Sequence, residues 1–262
     1  MEELWNLILY NFMGCLLVFA RVAGIFTFNP ILGRQNVPMR VRTAMGMALA
    51  VCTLAGMGST TGYIPQNIPS FVLVLLLEAF LGLVFGFFVN MILSALQLAG
   101  HVTDSKIGFM MANIMDPGTG IQMPVFATLY NYIFIFYFFL TNSHLSYIRL
   151  FVTSYDIIPI GFDFTMNTLA LTRNIVFFFS TVMVLAMKLA LPVVSSGMIV
   201  EVCVGVIMKA VPTIQIFVVN IQLKIIFGLI VILSLAKPIS DFIDRLIGTM
   251  WENLDLILHG FI

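Results

Sequence analysis

Long stretches of this chain contain almost nothing that water can solvate, and that limits the fold more than any motif does. Six apolar segments stand out: Leu4–Phe28, Thr43–Met57, Phe71–Ala99, Val125–Leu140, Ile175–Gly205 and Ile214–Ala236. Several reach the ~20 residues that a bilayer core asks of a spanning helix. Thr43–Met57 and Val125–Leu140 reach it only with their flanks. Hydrophobic residues make up 61% of the 262 and charged residues 9%, against about 25% charged in soluble domains. A single soluble core of this size cannot hide so much apolar surface, so the natural solvent is lipid or the flank of another subunit. No alternating strand pattern appears, and in lipid the backbone must satisfy its own hydrogen bonds, so helices are the expected spanning form. The expected fold is all-α and of integral-membrane type, with about six apolar helical segments, some broken or hairpin-like. Ile239–Ile262, which spaces Asp241, Asp244, Arg245, Glu252 and Asp255 among apolar residues, is expected as a C-terminal amphipathic helix.

The remaining composition removes whole classes of function. Twelve basic and twelve acidic residues cancel, and no basic patch is dense enough for nucleic acid. Cys15, Cys52 and Cys203 each lie inside an apolar run without a ligand-spaced partner, so they are expected as small buried hydrophobes. His101, His144 and His259 are the only histidines, and no two stand at a metal spacing. No nucleophile elbow, metalloprotease motif or phosphate loop occurs. The expectation is a protein that is not an enzyme and carries no metal and no cofactor. The chain begins Met1-Glu2-Glu3 and its first basic residue is Arg21, unlike the basic start of a cleaved signal, so the first apolar run is expected to be retained.

Punctuation and charge organise the rest. Asn29-Pro30 ends the first helix, Arg34 to Arg42 is a polar turn, and residues 58–69 hold a glycine- and proline-marked loop. Pro192, inside the fifth segment, predicts a kink or break. Arg21, Glu78, Lys188, Glu201, Lys209 and Lys224 are charges in or beside apolar runs. Facing hydrocarbon each would cost roughly 2.5–3.5 kcal/mol, so they are candidate buried charges that pair inside protein or face a wet path. Snorkelling is the plainer alternative for Arg21 and Lys224. The basic connection of Arg34, Arg40 and Arg42 favours the cytoplasm, but the positive-inside pattern is weak along the chain. Gly82 with Gly86, Ala20 with Gly24, and Gly46 with Ala50 have the spacing that lets helices approach closely.

The connection from Gly100 to Pro124 is the oddest. Met110, Met111, Met115 and Met123 fall within 14 positions of a chain holding 17 methionines in 262 residues, about a fourfold enrichment. Gly108, Gly118 and Gly120 add backbone freedom, and Asp116-Pro117-Gly118 signals a turn. Methionine adapts to irregular gaps, which suits a soft plug in a channel, and equally a re-entrant segment packed between helices. Both readings stand on the residues alone.

The order of motifs resembles the FliR family of type III export proteins. It runs from Ala20-Arg21-Val22 through Asn29-Pro30-Ile31-Leu32 to Val37-Pro38-Met39-Arg40-Val41-Arg42. It continues with Gly100 to Val125, including Asp116-Pro117 and Met123-Pro124, then Asn142-Ser143-His144 with serine where many members have glycine. Leu191-Pro192 and Ala210-Val211-Pro212 through Ile216-Phe217-Val218 complete it. Paralogues in virulence type III secretion systems share the pattern. The resemblance implies a subunit of a helical export gate with FliP and FliQ, against which an FlhB-like protein docks. It implies a multi-pass protein of the bacterial inner membrane and flagellar basal body, conducting unfolded flagellar export substrates. Residues 1–170 would be FliP-like and include the loop 107–124; residues 171–262 would be a FliQ-like helical hairpin part. Ile107, Gly108, Phe109, Met110, Met111, Met115, Asp116 and Pro117 would belong to the pore plug. A secondary transporter or ion channel that uses the intramembrane charges is the rival reading, weakened by the absence of an internal repeat.

Overall fold

The computed structural model describes residues 2–31, 33, 37–56, 67–109, 113–115, 122–161, 168–210 and 216–260. They form helices α1 (Glu2–Phe28), α2 (Met39–Gly56), α3 (Ile68–Ile107), α4 (Val125–Leu140), α5 (Ser143–Ile157), α6 (Thr168–Ala210), α7 (Ile216–Ser234) and α8 (Ala236–Gly260). A single antiparallel hairpin, β1 (Asn113–Met115) with β2 (Gln122–Pro124), interrupts them. The all-α class holds. α4 has the bounds of its apolar run, whereas α3 continues past Ala99 through His101-Val102-Thr103-Asp104, so the connection begins only after Ile107. α6 runs unbroken through Pro192, so the expected break is absent. Proline removes one backbone donor, the one that would reach the Lys188 carbonyl, and the helix continues past it.

α3 and α6 are long and apolar enough to cross a membrane, and two helix pairs broken by short turns, α4 with α5 and α7 with α8, raise the possible spans to four. At about 1.5 Å per residue, the 40 residues of α3 extend roughly 60 Å, about twice a hydrocarbon core.

The chain divides into two compact units, each discontinuous in sequence: Met1–Met91 with Asn142–Val176 and Met250–Ile262, and Ile92–Thr141 with Phe177–Thr249. In the first unit, Leu17, Val18, Val22 and Ile25 of α1 and Leu81, Phe85 and Phe88 of α3 are buried together with α5 residues Tyr147, Phe151 and Tyr155. The α5 face repeats every three to four residues, as an amphipathic helix must. Phe85 meets Tyr147 and Phe151 edge to face, at 6.4 and 6.2 Å between centroids. Glycines bring α1 against α3: a side chain at Gly82 would strike the Arg21 carbonyl, and one at Gly24 would strike Ala79. α1 stops where Asn29 folds back, its side-chain oxygen accepting the Ile31 N–H at 2.9 Å, an Asx turn.

In the second unit, Ile92, Leu93, Leu96 and Ala99 of α3 and Phe126, Ala127, Tyr130 and Phe134 of α4 are buried. Ile107, Phe126 and Val193 form one cluster, with Phe109, Ile225 and Leu235 packed on it. The α8 residues of this unit that carry its apolar stripe, Ile239, Ile243 and Leu246, are buried. Elsewhere, apolar faces lie open: Ile199, Val202 and Val206 of α6 and Ile226, Ile230 and Leu233 of α7 are exposed. Cys52 and Cys203 are exposed and Cys15 is half-buried, which corrects the expectation of three buried thiols. The apolar run around a cysteine does not tell which face of its helix this chain covers.

Candidate functional site

The base of the loop is built from the last two turns of α3 and the first turn of α4. Gly100 has no side chain because the Ala127 backbone occupies that place. One turn later, the buried Asp104 carboxylate accepts the backbone N–H groups of Phe126 and Ala127, at 2.9 and 3.3 Å through one oxygen. These amides are among the four that every helix start leaves without an internal partner. α4 has Pro124 at its N-cap and no side-chain cap of its own, so a residue 22 positions earlier does that work. A negative charge at the positive end of the α4 dipole is also electrostatically favourable.

The loop residues follow from this frame. Ile107 is buried, its side chain filling the place that a side chain at Gly228 of α7 would need, at 2.6 Å. Gly108 ends α3 with φ +96°, and its N–H reaches the Asp104 carbonyl at 3.0 Å. That left-handed end is glycine's conformation. Phe109 is half-buried, with its ring 6.0 Å from that of Phe126. Met115 lies in β1 opposite Gln122. Met110, Met111, Asp116 and Pro117 lie outside the described residues. The hairpin register, Asn113 with Pro124 and Ile114 with Met123, returns the chain to the start of α4.

The charges separate into three kinds. Arg21 is fully enclosed and every arm of its guanidinium is engaged. Nε donates to Glu78 at 2.6 Å, Nη1 to the Ser154 hydroxyl at 3.1 Å and Nη2 to the Ile158 carbonyl at 3.0 Å. The Tyr155 ring faces the guanidinium carbon at 3.9 Å. Thus Arg21 does not snorkel; it ties α1, α3 and α5 together. Glu201 and Lys224 pair at 2.6 Å between α6 and α7, with side chains 43% and 16% exposed. Lys188 and Lys209 are exposed on this chain. Among the described residues no group of histidine, cysteine and carboxylate side chains is placed to hold a metal. Asp104, Ser154, Tyr155 and Gly228 were not singled out as site residues from the sequence. For Asp104 there was one signal, an acid one turn after a glycine at the end of a long apolar helix.

A family model, bacterial export proteins, family 1, matches residues 12–250. The chain belongs to that family. It is similar to the flagellar biosynthetic protein FliR of Bacillus subtilis, 28% identical over 97% of each chain. It is also similar to FliR of Escherichia coli, 26% identical over 89% of this chain and 88% of that one. Yop proteins translocation protein T of Yersinia pestis is 26% identical over 84% of this chain and 80% of its own. The match spans both compact units and carries the loop base and the Arg21 centre within it. Together with the long apolar helices, it makes this chain a membrane-type component of a bacterial export apparatus.

Proposed function

We propose that this chain is a subunit of the type III, flagellar protein export gate, in the bacterial inner membrane and flagellar basal body. It forms part of the substrate-conducting pore with FliP and FliQ, an FlhB-like protein docks against the gate, and unfolded flagellar export substrates pass through. The 1–170 part is FliP-like, the 171–262 part FliQ-like, and residues 107–124 contribute a Met-rich plug. The observation that carries the reading is the family match over residues 12–250. Two features support it. The open apolar faces of α6 and α7 call for lipid or partner subunits. Helices of twice the bilayer thickness suit an assembly that extends beyond the membrane. A transporter needs its charges on a wet path, whereas Arg21 and Glu78 are sealed against each other.

The test is co-expression of the tagged chain with FliP and FliQ of the same organism and purification in mild detergent. The proposal expects one stable complex containing all three, and a chain that aggregates when made alone. A monodisperse monomer that melts cooperatively and ignores FliP and FliQ would contradict it.

A further inference from the structure

We infer that Asp104 is a positioning residue for the ends of the 107–124 loop: its carboxylate buckles the end of α3 to the start of α4. The functional consequence rests on the plug reading; the geometry stands on described residues alone.

Asp104 belongs to the last full turn of α3 before the loop, and the amides it holds belong to the second and third residues of α4 after it. A carboxylate in an apolar region is costly to bury. Here it is fully enclosed and spends one oxygen on two backbone donors. The second oxygen has no hydrogen-bond partner among the described residues. A residue serving only as helix filler would be apolar at this place. Three further contacts reinforce the buckle. Gly100 gives Ala127 room against α3, Ile107 is seated against Gly228, and β1 pairs with β2 directly before α4. These contacts fix the two ends of the segment, at Ile107 and at Pro124.

The chemistry predicts an order among substitutions. Asp104→Ala removes both acceptor interactions and leaves two buried N–H groups unpaired. Asp104→Asn keeps one carbonyl oxygen as acceptor, but it is neutral and so weaker. Its amide nitrogen also has no acceptor where the second oxygen stood, so it should fall between wild type and alanine.

The test uses the complete gate, co-purified with its partner subunits. Hydrogen exchange is followed by mass spectrometry in peptides covering residues 122–130, with residues 85–99 as an internal control. In parallel, ion leakage is measured in cells overproducing the gate. Asp104→Ala is expected to speed exchange in 122–130 by about tenfold, the equivalent of roughly one lost hydrogen bond, with 85–99 unchanged. Asp104→Asn is expected to give two- to threefold by the same reasoning, about half the interaction strength. Leakage should rise in the same order.

Exchange unchanged in an assembled Asp104→Ala gate would overturn the inference. If the alanine variant does not assemble, Asp104→Asn decides: faster exchange confined to 122–130 supports the inference, and wild-type exchange overturns it. The two ideas fail separately. Faster exchange without leakage, in a gate where deleting 108–118 also gives no leakage, leaves the buckle standing and removes the plug.

Discussion

Two ion pairs of equal length sit in the two compact units, and they are built for different purposes. Arg21–Glu78 and Lys224–Glu201 are both 2.6 Å pairs, but the first has side chains 0% and 4% exposed, the second 16% and 43%. Around Arg21 each guanidinium nitrogen donates one hydrogen bond, to Glu78 of α3, to Ser154 of α5 and to the Ile158 carbonyl just beyond α5, and the Tyr155 ring faces the group. Around Glu201 lie exposed apolar residues, Ile199, Val202 and Val206, with nothing of this chain upon them. The first pair forms inside one subunit, and the further hydrogen bonds to Arg21 are what make burial of its charge tolerable. The second stands on an open face, where a single chain gains little from it. The Arg21–Glu78 pair thus serves the subunit's own fold, while the Glu201–Lys224 pair stands on a partly exposed face.

The comparison is broken most severely at Arg21. Arg21→Ala should cost about 3–5 kcal/mol, since Glu78 is left as an uncompensated buried charge, and the protein should fail to accumulate. The paired change Arg21→Met with Glu78→Leu should recover most of that loss; accumulation as poor as that of Arg21→Ala would show that the pair is needed for more than mutual neutralisation. Gly82→Ala comes next. Its methyl would occupy the place of the Arg21 carbonyl, so α1 must shift from α3 at a cost of about 1–3 kcal/mol, measurable as a lower thermal midpoint of the assembled gate. Glu201→Leu should be the smallest, within about 1 kcal/mol for the chain itself. A midpoint shift as large as that of Arg21→Ala would mean that a partner encloses Glu201 in the assembly, sharpening the contrast into one between subunit and interface.

Apolar density was the legible part of the sequence. It placed α4 to the residue and located α1, α2, α3, α6 and α7, because a helix that lies in lipid or against another subunit is apolar over most of its length, while α8 was legible from its amphipathic spacing. α5 escaped for the opposite reason. Ser143, His144, Ser146, Arg149, Thr153 and Asp156 dilute it, and its buried apolar side chains are the stripe of Tyr147, Phe151 and Tyr155. The end of α3 was misplaced because His101, Thr103, Asp104 and Lys106 look like a connection. Asp104 is polar because it serves the start of α4, a relation across 22 positions that no local pattern contains. Arg21 and Glu78 were visible as misplaced charges. Their pairing was not, since it depends on α1 and α3 approaching through Gly24 and Gly82. The short β1–β2 hairpin was hidden by glycines and methionines with no alternation to read.

The central claim, that residues 107–124 help close a protein-conducting gate, is tested most directly by deleting Gly108–Gly118 and measuring ion leakage in cells that overproduce the assembled gate. Ile107 and its seat against Gly228 are retained, and so is Asp104 on the amides of Phe126 and Ala127, so assembly should survive. The account predicts a complete complex on co-purification, raised ion leakage and slowed growth. A complete complex with leakage no greater than that of the unaltered gate would contradict it and make the loop a packing segment.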